Sequence, residues 1–309
     1  MNKCVHSENL VACRRSPTNL PLFLYLQPCE LQPCERHLDF PTLTLSILIG
    51  TVGGFLGGLF GIGGGVVIIP LLTMAQGSNP HLYQAASLVA ALLVSAGSIP
   101  RHIRAQAIRW EFALRTIPFS IATVGLGIAI GIYLPSTQWL EWIFAAFLIY
   151  VAISEIVRRL LEKPANSNSP LLAERLGWGP ASMIGSVMGT LSGLLGIGGG
   201  VIAVPLMRVV NHFDIRTTIA TSAFLVLPTV IVAVILKYST LSSVKTPAGD
   251  PITLSAALWL AAALAPGAFV GANIGASLVH KLPMRKLSFA FGLLCAILAI
   301  RMSGLVTFK

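Results

Sequence analysis

Two glycine clusters, Gly61-Ile62-Gly63-Gly64-Gly65 and Gly196-Ile197-Gly198-Gly199-Gly200, hold the chemistry most open to this chain. A glycine-rich turn acts through its backbone alone. Without a Cβ the chain bends sharply and offers bare N–H groups, and the helix that starts behind the turn adds the positive end of its dipole. Two such turns brought together can replace the hydration shell of a small oxyanion without a fixed cation. Gly61, Gly63, Gly64, Gly65, Gly196, Gly198, Gly199 and Gly200 are therefore candidate substrate-binding residues. Close packing at a tight bend is the competing use of the same glycines. Ser87, Thr221 and Ser222 join the candidates as hydroxyl donors to a substrate oxygen. Their competing use is a bond back to the preceding helical turn.

Other chemistries find little support. No Gly-Lys-Ser/Thr follows either cluster, and Val66 stands where a dinucleotide fingerprint needs its third glycine. No carboxylate lies at the centre of an apolar run, which argues against cation transport and leaves no residue to name for proton coupling. Cys4, Cys13, Cys29 and Cys34 form no C-x-x-C pattern, so neither a metal nor another cofactor is expected. Ser192 would need a histidine partner for proteolysis, and His81, His102, His212 and His280 all look close to loops, so the chain is read as a non-enzyme. Arg101, His102 and Arg104 are read as topology signals that could also guide anions. Arg115 is expected to pair with Glu111, four residues earlier. Asn273 is expected to bond between helices.

The elements that must position these residues occur twice. Residues 58–72 read GLFGIGGGVVIIPLL and residues 193–207 read GLLGIGGGVIAVPLM, with ten of fifteen positions identical at an offset of 135. Each half opens on a glycine-broken segment, 43–76 or 181–210. Three apolar runs follow, 82–99, 112–134 and 137–157 in the first half and 216–236, 253–279 and 286–306 in the second. Ala85-Ala86-Ser87 matches Ala220-Thr221-Ser222 at the same offset, and Gly127 and Gly131 are matched with Gly271 and Gly275 at an offset of 144. A continuous helix from Leu43 to Gln76 would be about 50 Å long, too long for a hydrocarbon core of about 30 Å. Each broken segment is therefore read as a helical hairpin. A hairpin plus three spans gives an odd number of crossings, so the halves should be inverted. Gly50/Gly54/Gly58, Gly53/Gly57/Gly61, Gly185/Gly189/Gly193 and Gly267/Gly271/Gly275 form four-residue ridges suited to close helix packing.

Composition sets the class. The chain is 55% hydrophobic and 10% charged, with a mean hydropathy of +0.81, against about 25% charge in a soluble domain. The net charge of +10 falls mostly in short loops beside apolar runs, where it sets topology. No basic helix interleaved with aromatics supports nucleic-acid binding. The expected fold class is an all-α polytopic membrane protein of about eight helical elements in two inverted repeats. The expected division is a disordered N-terminal tail over 1–41, a first repeat over 42–161, a polar linker over 162–180 and a second repeat over 181–309.

The segment GGLFGIGGGVVIIP from Gly57 and its partner SGLLGIGGGVIAVP from Ser192 resemble the glycine motifs of the sulfite exporter TauE/SafE family of membrane transporters. The resemblance extends to Ala85–Ser87, Ala220–Ser222 and the Arg101-His102-x-Arg104 loop leading to Trp110, and covers about residues 42–305. Ser192 departs mildly from the pattern. Membership implies a multi-pass carrier in the plasma membrane for small, often sulfur-containing anions such as sulfite or organosulfonates, with protons as the coupling ion. The expected partners are the anion, the lipid bilayer and protons; a homodimer is held open. An anion channel and an assembly factor without transport are the alternatives.

Overall fold

A computed structural model describes residues 40–134, 137–161, 176–241 and 252–279, with isolated positions between 293 and 300. The four N-terminal cysteines, most of the expected tail and linker, His280 and most of the last expected span lie outside the described residues. Among the described residues the chain is all-helical: α1 (Phe40–Phe60), α2 (Gly65–Gln76), α3 (Pro80–Arg104), α4 (Trp110–Tyr133), α5 (Thr137–Leu161), α6 (Trp178–Leu195), α7 (Gly200–Val210), α8 (Ile215–Thr240) and α9 (Leu254–Leu278). Five of these, α1, α3, α4, α8 and α9, are long and apolar enough to cross a bilayer.

The broken segments are hairpins, as their length requires. In the first, α2 runs back along α1: a Cβ on Gly53 would fall 2.3 Å from the Ile68 side chain, and one on Gly57 would fall 2.5 Å from the Gly64 nitrogen. The returning limbs α2 and α7 have 12 and 11 residues, about 18 and 16 Å of helix, too short to cross the membrane.

The repeat equivalents α3 and α8 run antiparallel. His81 at the start of α3 lies 3.3 Å from Lys237 at the end of α8, and Ala91 and Val226 meet the same glycines half-way along both helices. Two equivalent helices in opposite directions make the halves inverted.

The halves also interlock. The Gly50, Gly54 and Gly58 ridge of α1 lies on the Leu264, Ala268 and Ala272 backbone of α9, so close that a Cβ would come within 2.4, 2.2 and 2.5 Å of the three carbonyl oxygens. Gly267, Gly271 and Gly275 of α9 sit equally close to the carbonyls of Ile47, Thr51 and Phe55. The second seam repeats the first, with Gly185, Gly189 and Gly193 of α6 on Thr116, Ser120 and Val124 of α4. The opening helix of each half thus packs along a span of the other. Such contact needs residues without side-chain bulk, because in lipid the attraction between helices is van der Waals and short-ranged.

This seam corrects the register between the halves. Gly50 opposes Leu264 where its equivalent Gly185 opposes Thr116, and Gly54, Gly58 and their partners keep the same offset of 148 between α4 and α9. Gly127, which faces the Thr190 carbonyl as Gly275 faces that of Phe55, therefore corresponds to Gly275 rather than Gly271. Pro118 and Pro266, both inside helices, fall at this offset too. Small residues at every fourth place make registers one helical turn apart look alike in sequence, and the difference of 13 residues from the offset of 135 falls between α8 and α9.

Candidate functional site

Both glycine clusters form the same turn. Gly61, Gly63 and Gly64 have φ of +67, +81 and +79°, and Gly196, Gly198 and Gly199 have +69, +82 and +74°. These are left-handed conformations that cost other residues about 1–2 kcal/mol. Gly65 and Gly200 then open α2 and α7. The N-caps of these two helices, Gly64 and Gly199, supply no side-chain cap. Such helix ends leave amide donors without intrahelical partners.

The two turns touch. A Cβ on Gly200 would fall 2.4 Å from the Gly61 oxygen, and one on Gly65 would fall 2.8 Å from Cα of Ile197. Gly63 and Gly198 both rest against Ala91 and Val226, which are equivalent positions at the offset of 135. The pseudo-two-fold axis therefore passes between the turns, at mid-length of α3 and α8. Residues 61–70 and 192–205 are all buried.

Two serines tie each turn to the opposite half. Ser87 Oγ on α3 donates to the Gly196 carbonyl at 2.7 Å, and Ser222 Oγ on α8 donates to the Gly61 carbonyl at 2.9 Å. Each hydroxyl also lies near the carbonyl three residues back, Gln84 at 3.0 Å and Ile219 at 3.0 Å. In this conformation each hydroxyl directs its one proton to the nearer carbonyl, that of the turn, with the carbonyl three residues back as a second, longer acceptor. Thr221 is not brought to the turns; its Oγ1 accepts from the Arg109 nitrogen at 3.1 Å, ahead of α4.

Several expected surroundings differ. Lys237, just past the apolar run 216–236, still lies within α8 and is 2% exposed. Its Nζ donates to Gln84 Oε1 at 2.8 Å and lies 3.3 Å from His81 Nδ1. His81 and His102 stand at the two ends of α3, close to its loops as expected, but are helical and only 7% and 0% exposed. Their helix runs past both ends of the apolar stretch 82–99 that marks it in sequence. Asn273 bonds within its own helix, to the Phe269 carbonyl at 3.0 Å; its amide is close enough to satisfy itself one turn back. The Glu111–Arg115 pair forms at 2.6 Å. Arg115 also bonds the Leu176 carbonyl and stands 5.6 Å over the Trp178 ring.

Gln84 and Lys237 escaped the sequence reading. Gln84 Nε2 donates to the Leu194 carbonyl at 3.0 Å, just ahead of the second turn. A signal was present, because the offset of 135 matches His102 with Lys237 and His81 with Arg216.

An interlocked, inverted pair of helical repeats, each opening on a short re-entrant hairpin whose turn meets that of the other, defines a multi-pass membrane protein. The chain belongs to the sulfite exporter TauE/SafE family, whose model matches residues 46–302. It is 28% identical over 282 residues to the "Probable membrane transporter protein MamO" of Paramagnetospirillum magneticum, covering 83% of this chain and 44% of that protein. The chain thus spans less than half the length of MamO. A "Probable membrane transporter protein" of Haemophilus influenzae is 28% identical over 277 residues, covering 85% of this chain and 98% of its own length. The Bacillus subtilis "Probable membrane transporter protein YunE" is 25% identical over 268 residues, covering 80% and 92%.

Proposed function

We propose that this chain is a secondary transporter that moves small, sulfur-containing oxyanions such as sulfite or organosulfonates across the plasma membrane. The site we assign is the contact between the turns Gly61–Gly65 and Gly196–Gly200. One observation carries the reading: two uncapped helix N-termini begin, fully buried, where the two turns touch on the pseudo-two-fold axis. One amide at each end bonds back to the cap carbonyl, Val67 to Gly64 at 3.0 Å and Ile202 to Gly199 at 3.3 Å, and the partial positive charge of the helix ends suits an anion. The Haemophilus and Bacillus relatives, named as membrane transporters over nearly their whole length, support transport as the activity.

A carrier is favoured over a channel because the turns are buried on all sides in this conformation. Access then requires the halves to move, and an inverted repeat supplies two equivalent states that open to opposite sides. Ser87 and Ser222 act as positioning residues that hold each turn on the opposite half. Protons are the proposed coupling ion. The test is flux of labelled sulfite, thiosulfate and sulfoacetate into proteoliposomes with and without an imposed pH gradient. Accumulation above the external concentration that collapses with the gradient is the expected result. Movement that only equilibrates, or none for any of the three, would overturn it.

A further inference from the structure

We propose that Lys237, with His81 and Gln84, forms a second oxyanion subsite at one end of the α3–α8 pair, where the substrate anion is held before or after it occupies the glycine turns. The inference rests on the reading of the protein as an anion carrier. Lys237 is 2% exposed near the end of a span whose most apolar 18-residue stretch has a mean hydropathy of 2.6. An ammonium in such surroundings is costly unless a counter-charge meets it. Near a helix end a lysine usually snorkels outward to water, whereas Lys237 turns its Nζ inward to α3. Its partners among the described residues are neutral acceptors, Gln84 Oε1 at 2.8 Å and His81 Nδ1 at 3.3 Å. They occupy two of its three donors, which leaves the third for an oxyanion that supplies the missing charge.

The subsite adjoins the central site through Gln84. The amide that accepts from Lys237 donates its Nε2 to the Leu194 carbonyl at 3.0 Å, and a Cβ on Gly196 would fall 2.6 Å from the Gln84 Cβ. Loss of the lysine contact therefore reaches the second turn directly. The repeat adds an independent observation. At the offset of 135, Lys237 corresponds to His102 and His81 corresponds to Arg216, so both ends of the α3–α8 pair carry basic side chains at equivalent places. Basic side chains at both ends would give an anion a charged contact at each end of its path between the halves.

The test measures sulfite affinity of the purified protein by titration calorimetry, with melting and gel-filtration profiles in the absence of sulfite as the check on folding. Lys237→Met should weaken binding by at least about thirtyfold, the scale of removing one partner from a buried charge pair. Lys237→Gln, which keeps a donor toward Gln84, should weaken it as much and serves where the methionine variant does not fold. Lys237→Arg should retain most of the affinity. A wild-type protein that binds sulfite beside folded neutral variants that bind it equally well would overturn the subsite. A wild-type protein that binds none of sulfite, thiosulfate and sulfoacetate would overturn the carrier reading itself, and the subsite with it.

Discussion

Ser222 donates its hydroxyl to the Gly61 carbonyl at 2.9 Å, bridging 161 residues of chain. The equivalent bond from Ser87 to Gly196 measures 2.7 Å. The pair forms a symmetric brace, in which a helix of each half fixes the glycine turn of the other. Both serines are fully buried. Removing either hydroxyl leaves a buried carbonyl short of a donor, at a cost of about 1 kcal/mol.

Ser87→Ala and Ser222→Ala should each insert and fold, because alanine fits wherever serine does. Each should lower the melting temperature modestly and reduce oxyanion flux by roughly tenfold, equivalent to about 1.4 kcal/mol of lost stabilisation. Initial uptake rates in proteoliposomes, normalised to reconstituted protein, provide the check. The two variants should behave alike, since their bonds are related by the pseudo-symmetry.

Gly64→Val and Gly199→Val test what the turns require for folding. Left-handed backbone at φ +79 and +74° already disfavours a side chain. The added Cβ would also fall 2.6 Å from the Gly53 and Met188 carbonyl oxygens. These variants should therefore be lost as folded protein, seen as aggregates on gel filtration. Gly63→Ala and Gly198→Ala meet their neighbours at 3.3 and 3.2 Å. They should fold at a cost of about 1–2 kcal/mol and show reduced flux.

The α1–α9 and α4–α6 seams make a stability prediction. Gly54→Ala and Gly189→Ala each place a Cβ 2.2 Å from a carbonyl oxygen, of Ala268 and Ser120 respectively. Both should destabilise by about 1–3 kcal/mol through overpacking, and to a similar extent. Gly125→Ala is the control. Its Cβ would meet only the Leu236 side chain, at 3.6 Å, so the helix should gain up to about 1 kcal/mol. Thermal unfolding in detergent distinguishes the three.

Much of this architecture was legible because it is repeated. The identity of residues 58–72 and 193–207 marks both turns, and helix length alone forces each to fold back. The inverted relation followed from counting crossings. The one-turn error at Gly127 arose because glycine ridges repeat every four residues, and only the facing carbonyls distinguish Gly271 from Gly275. Lys237 was missed for a related reason. A charge at the end of an apolar run reads as the start of a loop, whereas burial against His81 and Gln84 is a property of the neighbouring helix. The serine brace likewise could not be read from local sequence, since Ser87 and Gly196 lie 109 residues apart.

Glu111 and Arg115 provide a test on the surface. The glutamate side chain is 60% exposed, so Glu111→Gln should cost no more than about 1 kcal/mol. Arg115→Ala should cost more, because Arg115 also bonds the Leu176 carbonyl and covers Trp178, joining α4 to the start of α6. Melting temperatures at low and high salt separate the two, with only the glutamate variant approaching wild type as salt rises.

The central claim, that the two glycine turns hold the anion together, is tested most directly with selenite as a heavy analogue of sulfite. Crystals grown at a selenite concentration that saturates transport should show an anomalous selenium peak between the turns, within hydrogen-bond distance of amides in Gly63–Gly65 or Gly198–Gly200. A peak elsewhere with the turns empty, under the same saturating conditions, would contradict it.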